Sequence, residues 1–226
     1  MRFSYVLFIA IIFAMAGYSC KGRGGKFIDQ GEIHNNIDYV GDFGIPDEFL
    51  PKNLVISFKN DKILYDMSGL ANSGIFNLTN PEKNIYDTYF SIPPIRYYYA
   101  GVQGELYPGF STMEGMVLKK TAKTAIICGY NCKNAEVSFL AAGDTIYNIW
   151  YTDEIKIKNP NASTPFNQIE GVLMNFFFFI GKSEMHFTAE GVYDKSISEE
   201  TFNRRVKFRR ISREDMTGLI NKLGNL

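Results

Sequence analysis

The chain has 226 residues, 46% of them apolar and 15% aromatic, with 19 Phe and 14 Tyr, which is enough for a packed core and too apolar for a disordered chain. Its 24 Lys and Arg balance 24 Asp and Glu, so no global field favours nucleic acid or an acidic substrate. A single large β domain fits this length.

The N-terminus, "MRFSYVLFIAIIFAMAGYSC", opens with one positive charge, Arg2, followed by an apolar run from Tyr5 to Ala16 and then Gly17, Tyr18 and Ser19 before Cys20. Those 12 apolar-run residues fall short of the roughly 20 that a membrane-crossing helix needs. The layout over residues 1–19 is that of a secretory signal peptide. Small residues three and one positions before the cysteine resemble the relaxed form of the lipobox, the processing site of bacterial lipoproteins. That resemblance implies that Cys20 becomes the first mature residue and carries lipid, and two or more acyl chains hold a protein on a membrane almost permanently. An ordinary signal peptide with an incidental cysteine is the alternative. Residues 20–30 then form a lipidated tether, Gly-rich and basic in "KGRGGK" (21–26), hence flexible. Lys21 after the cysteine fits an exported protein anchored in the outer membrane, on its periplasmic or surface side.

From Gly31 onward the pattern has period two, and residues 31–226 are expected to form one β-rich domain. "EIHNNIDYV" sets Ile33, Ile37 and Tyr39 against Glu32, His34, Asn36 and Asp38, and "LVISFKNDKILYDMSG" predicts a hairpin turning at Asn60 and Asp61. "PDEFLPKN" allows a short helix near 46–51 before Pro51 stops it. Further strands are predicted at "GIFNLTN", "NIYDTYFSI", "IRYYYAG", "EGMVLKKT", "KTAIIC", "KNAEVSFL", "TIYNIWYT", "EIKIK", "GVLMNFFFFI", "KSEMHFTAEGVY" and "RVKFRR". Roughly a dozen short strands between Gly, Asn, Asp and Pro predict an antiparallel sheet, sandwich or barrel. "SREDMTGLINKL" predicts a C-terminal amphipathic helix, with Ser212 as N-cap, Asp215 three residues on, and Met216, Leu219, Ile220 and Leu223 on one side.

The segments "CGYNCKNAEVSF", "IWYTDEIKIKNP", "TPFNQIEGVLMNF", "MHFTAEGVYDKSISEETF" and "ISREDM" resemble the C-terminal half of small bacterial lipoproteins related to the lipoprotein-localisation factors LolA and LolB. The resemblance covers about the last hundred residues well and "FLPKNLVISFKNDK" more loosely. It implies a strongly curved antiparallel sheet, a half-open barrel, with helix covering its concave apolar face, where the localisation factors take acyl chains. Where such sequences carry a proline after the Phe of "ETF", this chain has "NRRVKF".

Several residues are candidates for function. Along the run "MNFFFFIGK", Phe176 and Phe178 fall on one face of a strand and Phe177 and Phe179 on the other, so both faces must be covered. Either a helix or loop does this, or one row lines a ligand cavity. Cys128 and Cys132 flank "GYN" and read as a facing pair across a turn, for which a disulfide is the first expectation in an exported protein. A reduced pair or a metal site is the alternative, the latter lacking nearby histidines. Residues 204–213 hold six Lys or Arg. They form either a solvated edge strand or, through Arg204, Arg205 and Lys207, a contact with anionic headgroups. His34 and His186 sit on polar faces, and no nucleophile elbow, metal-binding helix or phosphate loop accompanies them. No catalytic, cofactor or metal site is therefore expected. Two functions fit: a membrane-anchored protein binding a lipid or other apolar ligand in its concave sheet, or a structural and interaction module of an envelope complex with a filled core. Neither involves nucleic acid.

Overall fold

In a computed structural model of the chain, the structure describes residues 27–41, 46, 48 and 50–223. The signal peptide and Cys20 lie outside the described residues, as do residues 47 and 49 of the short helix expected near 46–51, and the described residues 46, 48, 50 and 51 are not helical. The strands are β1 (Gln30–Val40), β2 (Asn53–Lys59), β3 (Lys62–Ser68), β4 (Gly74–Asn80), β5 (Ile85–Ile92) and β6 (Ile95–Ala100) in the first half. The second half adds β7 (Val117–Ile127), β8 (Tyr130–Ser138), β9 (Tyr147–Thr152), β10 (Val172–Ile180), β11 (Ser183–Tyr193) and the short β12 (Arg209–Arg210), then helix α1 (Arg213–Leu223).

All twelve strands join one curved, unclosed sheet in the order β12-β6-β5-β4-β3-β2-β1-β11-β10-β9-β8-β7. Two antiparallel meanders, β1 to β6 and β7 to β11, are zipped together where β1 pairs with β11. Only β12 runs parallel to its neighbour β6. Local sequence explains most of this. In β1 the apolar residues Ile33 and Ile37 are buried while Asn36 and Asp38 face outward, because alternation places successive side chains on opposite faces. The β2–β3 hairpin turns at Asn60, which takes a left-handed φ of 53°, a conformation asparagine tolerates better than most residues.

The inner face carries the main core and is covered by α1 and by the connections at 101–116 and 153–171, which supply Tyr107, Phe110, Met113, Phe166 and Ile169. The helix starts as its sequence predicts: the Ser212 hydroxyl accepts from the Asp215 N–H at 3.1 Å and donates to the Asp215 carboxylate at 2.7 Å. Met216 and Ile220 are buried beneath it. Arg213 ties α1 to the 101–116 connection through Glu105 and the Leu106 carbonyl, both at 2.8 Å. Gly109, at φ 103°, lets Ile220 approach: a Cβ there would sit 2.6 Å from an Ile220 methyl.

On the outer face over β3 to β5, Leu64, Phe76, Leu78, Ile85 and Tyr89 form a second buried cluster with Ile197 and Phe202. Residues 194–208 lie over these strands, with a 3₁₀ turn at Glu199–Phe202. This cover is pinned at several points. Asn80 Nδ2 donates to the Phe202 carbonyl at 3.0 Å, the Arg205 N–H donates to the Tyr89 hydroxyl at 3.0 Å, and the Lys62 ammonium reaches Glu199 at 2.9 Å.

Three strand expectations change. "EGMVLKKT" and "KTAIIC" are one strand, β7, with an irregularity between Lys120 and Thr124. "EIKIK" is not a strand: Ile155 makes a single bridge to Ile28, and Ile155 and Ile157 are both buried in the main core, which strict alternation at i and i+2 permits without a partner strand. "RVKFRR" keeps only Arg209 and Arg210 in the sheet, because the residues before them are drawn over the outer face by Phe202 and Arg205.

Candidate functional site

The inner face is not uniformly filled. At the end where β1, β5 and β10 finish and β4, β6 and β11 begin, an apolar cavity of about 460 Å³ opens between the first meander and the β10–β11 hairpin. Tyr39 of β1, Met67 of β3, Ile75 of β4, Ile180 of β10 and Met185 of β11 form its walls, and Leu223 of α1 closes one side. Leu70, Ile92 and Pro93 lie at the rim. The volume falls within the range of small-molecule sites, roughly 300–1,000 Å³.

The chemistry of the lining is narrow. Among the described residues, its polar side chains are Tyr39, Ser73 and Ser183, and no charged side chain borders it. The Tyr39 hydroxyl donates to the Pro51 carbonyl at 2.8 Å, and burial pushes its pKa well above the ordinary phenol value, so it stays neutral. Met67, Ile75, Ile180 and Met185 also line a second void of about 40 Å³ deeper along the inner face. Beyond it the space ends against Phe110 and Phe178, whose ring centroids are 4.6 Å apart, and against Tyr65, Tyr107 and Ile220. Tyr65 donates to the Pro160 carbonyl at 3.1 Å, and the Tyr107 and Thr79 hydroxyls are bonded at 2.5 Å. Burial pushes the Tyr107 hydroxyl up to about 12.

Of the two alternatives for the phenylalanine run, cover by neighbouring elements or cavity lining, the four rings serve mainly as covered core. Phe176 and Phe178 face inward, opposite Phe187 and Met185 of β11, and Phe176 stacks on Phe187 at 4.9 Å. Phe178 borders the small void, and none of the four borders the 460 Å³ cavity. Phe177 and Phe179 face the other way and are covered by aromatic neighbours, Phe177 by Tyr147 at 4.3 Å and Phe179 by Phe139 at 5.2 Å. The reason lies in the pairing of β10. It meets β9 only from Val172 to Asn175, and past that point the 111–113 turn takes its edge, with the Phe179 N–H donating to Met113 Sδ at 3.3 Å.

One further expectation is corrected. Cys132 is a free, buried thiol, so it forms no disulfide with Cys128. The β7–β8 turn consists of Cys128 and Gly129, both at positive φ, and Ile127 pairs with Tyr130 while Cys132 pairs with Ala125. The two cysteines are therefore out of register by the width of the turn. Of the basic residues, Arg204 forms a two-point ion pair with Asp87, and the Arg205 guanidinium lies 4.1 Å over the Phe76 ring with Asp66 at 3.7 Å. Both hold the outer cover in place, Arg204 with 45% of its side chain still exposed. Lys207 is exposed.

His34 and His186 each bond a glutamate two residues away, Glu32 at 2.8 Å and Glu184 at 2.5 Å, on the outer face and not beside the cavity. Burial raises the pKa of Glu32, but its bonds to His34 and Lys195 outweigh this and hold the carboxyl below its ordinary value. Among the described residues no group of three or more His, Cys, Asp or Glu could hold a metal.

No family model matches the chain, and no curated protein matches it. Among solved structures it is similar to PNGF-II, seen in two crystal forms, with a TM-score of 0.53 and 16% identity over 86% of this chain. The chain spans about a third of that protein's length, 33% and 34% in the two forms, and the likeness is one of fold. Weaker likenesses are to lipoprotein LppX of Mycobacterium tuberculosis, with a TM-score of 0.31 and 10% identity over 75% of this chain and 89% of the other, and to LprF of Mycobacterium bovis, with a TM-score of 0.27 and 9% identity over 77% and 89%. At such TM-scores these two share too little architecture to inform the site.

Proposed function

We propose that the protein is a lipid-anchored component of the bacterial envelope that holds one slender apolar molecule, such as an acyl chain, in the cavity between β3, β4, β10 and β11. The observation that carries this reading is the 460 Å³ apolar cavity, whose lining among the described residues offers three hydroxyl-bearing side chains and no charged one. An empty apolar cavity of this kind leaves its walls without dispersion partners and holds water poorly, so an apolar occupant is favoured. With the Tyr39 hydrogen donated to Pro51, selection is by shape and apolarity and not by recognition of a headgroup. The cavity's role in this reading is binding, and no His, Cys, Asp, Glu, Lys or Arg borders it among the described residues.

Anchoring rests on the lipobox reading of Cys20. Metabolic labelling with palmitate that disappears in Cys20→Ala supports it, and labelling that survives the change removes it. For the cavity, organic extracts of the purified protein are expected to yield a stoichiometric lipid or fatty acid by mass spectrometry. A clean extract, together with no binding of added fatty acid, would sink the ligand reading. One observation favours the second function, a partner-binding module of an envelope complex: Phe110, Phe166, Phe176, Phe178 and Phe187 fill the middle of the inner face. A clean extract turns the assignment to that reading.

A further inference from the structure

We propose that the end of the sheet carrying the cavity mouth is a bilayer-docking surface. The register gathers several connections at this end. Val40 pairs with Glu184 where β1 meets β11, residues 69–73 join β3 to β4, Ile92 pairs with Ile95 across the β5–β6 turn, and residues 139–146 join β8 to β9. On these connections or at the strand ends beside them, Val40, Leu70, Ile92, Ile95, Leu140 and Ile146 are all exposed, from 39% at Ile92 to 95% at Leu140. The opposite end is built differently. Its hairpin connections are Asn60-Asp61, the polar turn of residues 81–84 and Cys128-Gly129, and among the described residues its exposed large apolar side chains are Phe27, Val102 and Ile126.

Three features select a lipid surface as the occupant. The apolar side chains stand on separate projecting turns, which a deformable bilayer interface accommodates one by one and a rigid protein surface would have to match in detail. Lys52, Arg96 and Lys182 are exposed beside these turns, placing cations where headgroup phosphates would lie. Leu70, Ile92 and Pro93 belong both to the docking end and to the cavity rim, so docking would open the cavity directly onto the acyl layer. Docking itself needs only the exposed turns and does not depend on what the cavity holds.

The tether constrains how this happens. The chain enters β1 at Gln30, at the end opposite the exposed turns. From Cys20 to Phe27 a fully extended chain reaches about 25 Å, whereas β1 spans about 36 Å. With Cys20 as anchor, the apolar end therefore meets the anchoring bilayer only when β1 leans by about 45° or more from the membrane normal, and otherwise faces a second bilayer.

The test uses the full chain in vesicles of phosphatidylcholine and phosphatidylglycerol with brominated acyl chains, which quench tryptophan in contact with them. Trp150 is the single native tryptophan and sets the baseline. Leu140→Trp and Ile95→Trp are expected to add fluorescence that brominated lipid quenches strongly, and Ile126→Trp, at the far end, fluorescence that it does not. Equal quenching at both ends, no quenching at Leu140→Trp and Ile95→Trp, or protection of these tryptophans by an envelope protein in place of lipid would each overturn the docking surface. Lipid recovered from the cavity with unquenched tips would overturn docking alone, and quenched tips with a clean extract would leave docking standing while removing the cavity ligand.

Discussion

Arg204 grips Asp87 at two points, Nε to Oδ2 at 2.7 Å and Nη2 to Oδ1 at 3.0 Å, across 117 residues of sequence. The Asp87 side chain is fully buried and also accepts the Tyr89 hydroxyl at 2.8 Å. A carboxylate in that position is tolerable only while its partners stay. Arg204→Ala is therefore expected to destabilise the fold by about 3 kcal/mol, at the low end for a broken buried pair because the arginine itself is half-exposed. Urea unfolding measures this, and a change within about 0.5 kcal/mol, typical of a surface substitution, would show that the pair is ornamental. Vesicle binding of Arg204→Ala should match the parent chain, which separates this structural role from headgroup contact.

The same outer cover makes the fold sensitive to acid. Hydrogen bonds from Lys62 and then Lys59 pull the Glu199 carboxyl down to about 2, and Glu199 and Glu82 in turn raise the ammonium of Lys62. A carboxyl depressed in the folded state contributes its full stability above its unfolded value of about 4.3, and that contribution is lost as pH falls toward 2. The Lys62 contribution has the opposite sense: it is complete below about 10.4 and disappears only at higher pH. Urea midpoints should therefore fall between about pH 4.3 and 2, and Glu199→Gln should flatten that slope. An unchanged slope in the variant would assign the acid sensitivity to other groups.

Much of this architecture can be read from residue patterns, and what cannot has a physical cause. The alternation of Ile33 and Ile37 marks β1, and the Ser212–Asp215 box marks the start of α1, because both depend on neighbours a few residues apart. The outer cover is harder to see, since Asp87 and Arg204 meet only in space. A signal for it exists nonetheless: "NIYDTYF" carries apolar residues on both faces, as "NFFFF" does, and β5 is indeed buried on both faces. The cavity has no local signature because it is what remains after Phe110, Phe176 and Phe178 fill the neighbouring space. The cysteine pair misleads by the width of one turn. Gly129 takes positive φ readily and draws Cys128 into the turn with it, and no property of the cysteines themselves reveals that.

Cys132 gives this point a chemical test. It is 1% exposed, and burial pushes its thiol up to about 11, so the nucleophilic thiolate is scarce near neutrality. Native protein at pH 8 should resist alkylation at Cys132, and denaturant without any reductant should make it react fully, as peptide mapping would record. A Cys128–Cys132 linked peptide in the unreduced digest would contradict the register of β7 and β8.

The division of labour between the phenylalanine strand and the cavity leads to opposite outcomes for two substitutions. Phe176 is fully buried against Phe187, and removing its ring leaves a hole that a close-packed aromatic cluster cannot collapse, so Phe176→Ala should cost about 3–5 kcal/mol. It does not border the 460 Å³ cavity, and the surviving folded protein should retain its bound lipid. Met67 is only half-buried and lines that cavity from β3. Met67→Trp projects an indole into space already present, avoiding the overpacking that makes such enlargements costly in filled cores. Its unfolding midpoint should stay close to that of the parent chain while co-purifying lipid falls toward zero. Full lipid occupancy in Met67→Trp, or loss of lipid in folded Phe176→Ala, would place the ligand in the aromatic cluster and not in the cavity beside it.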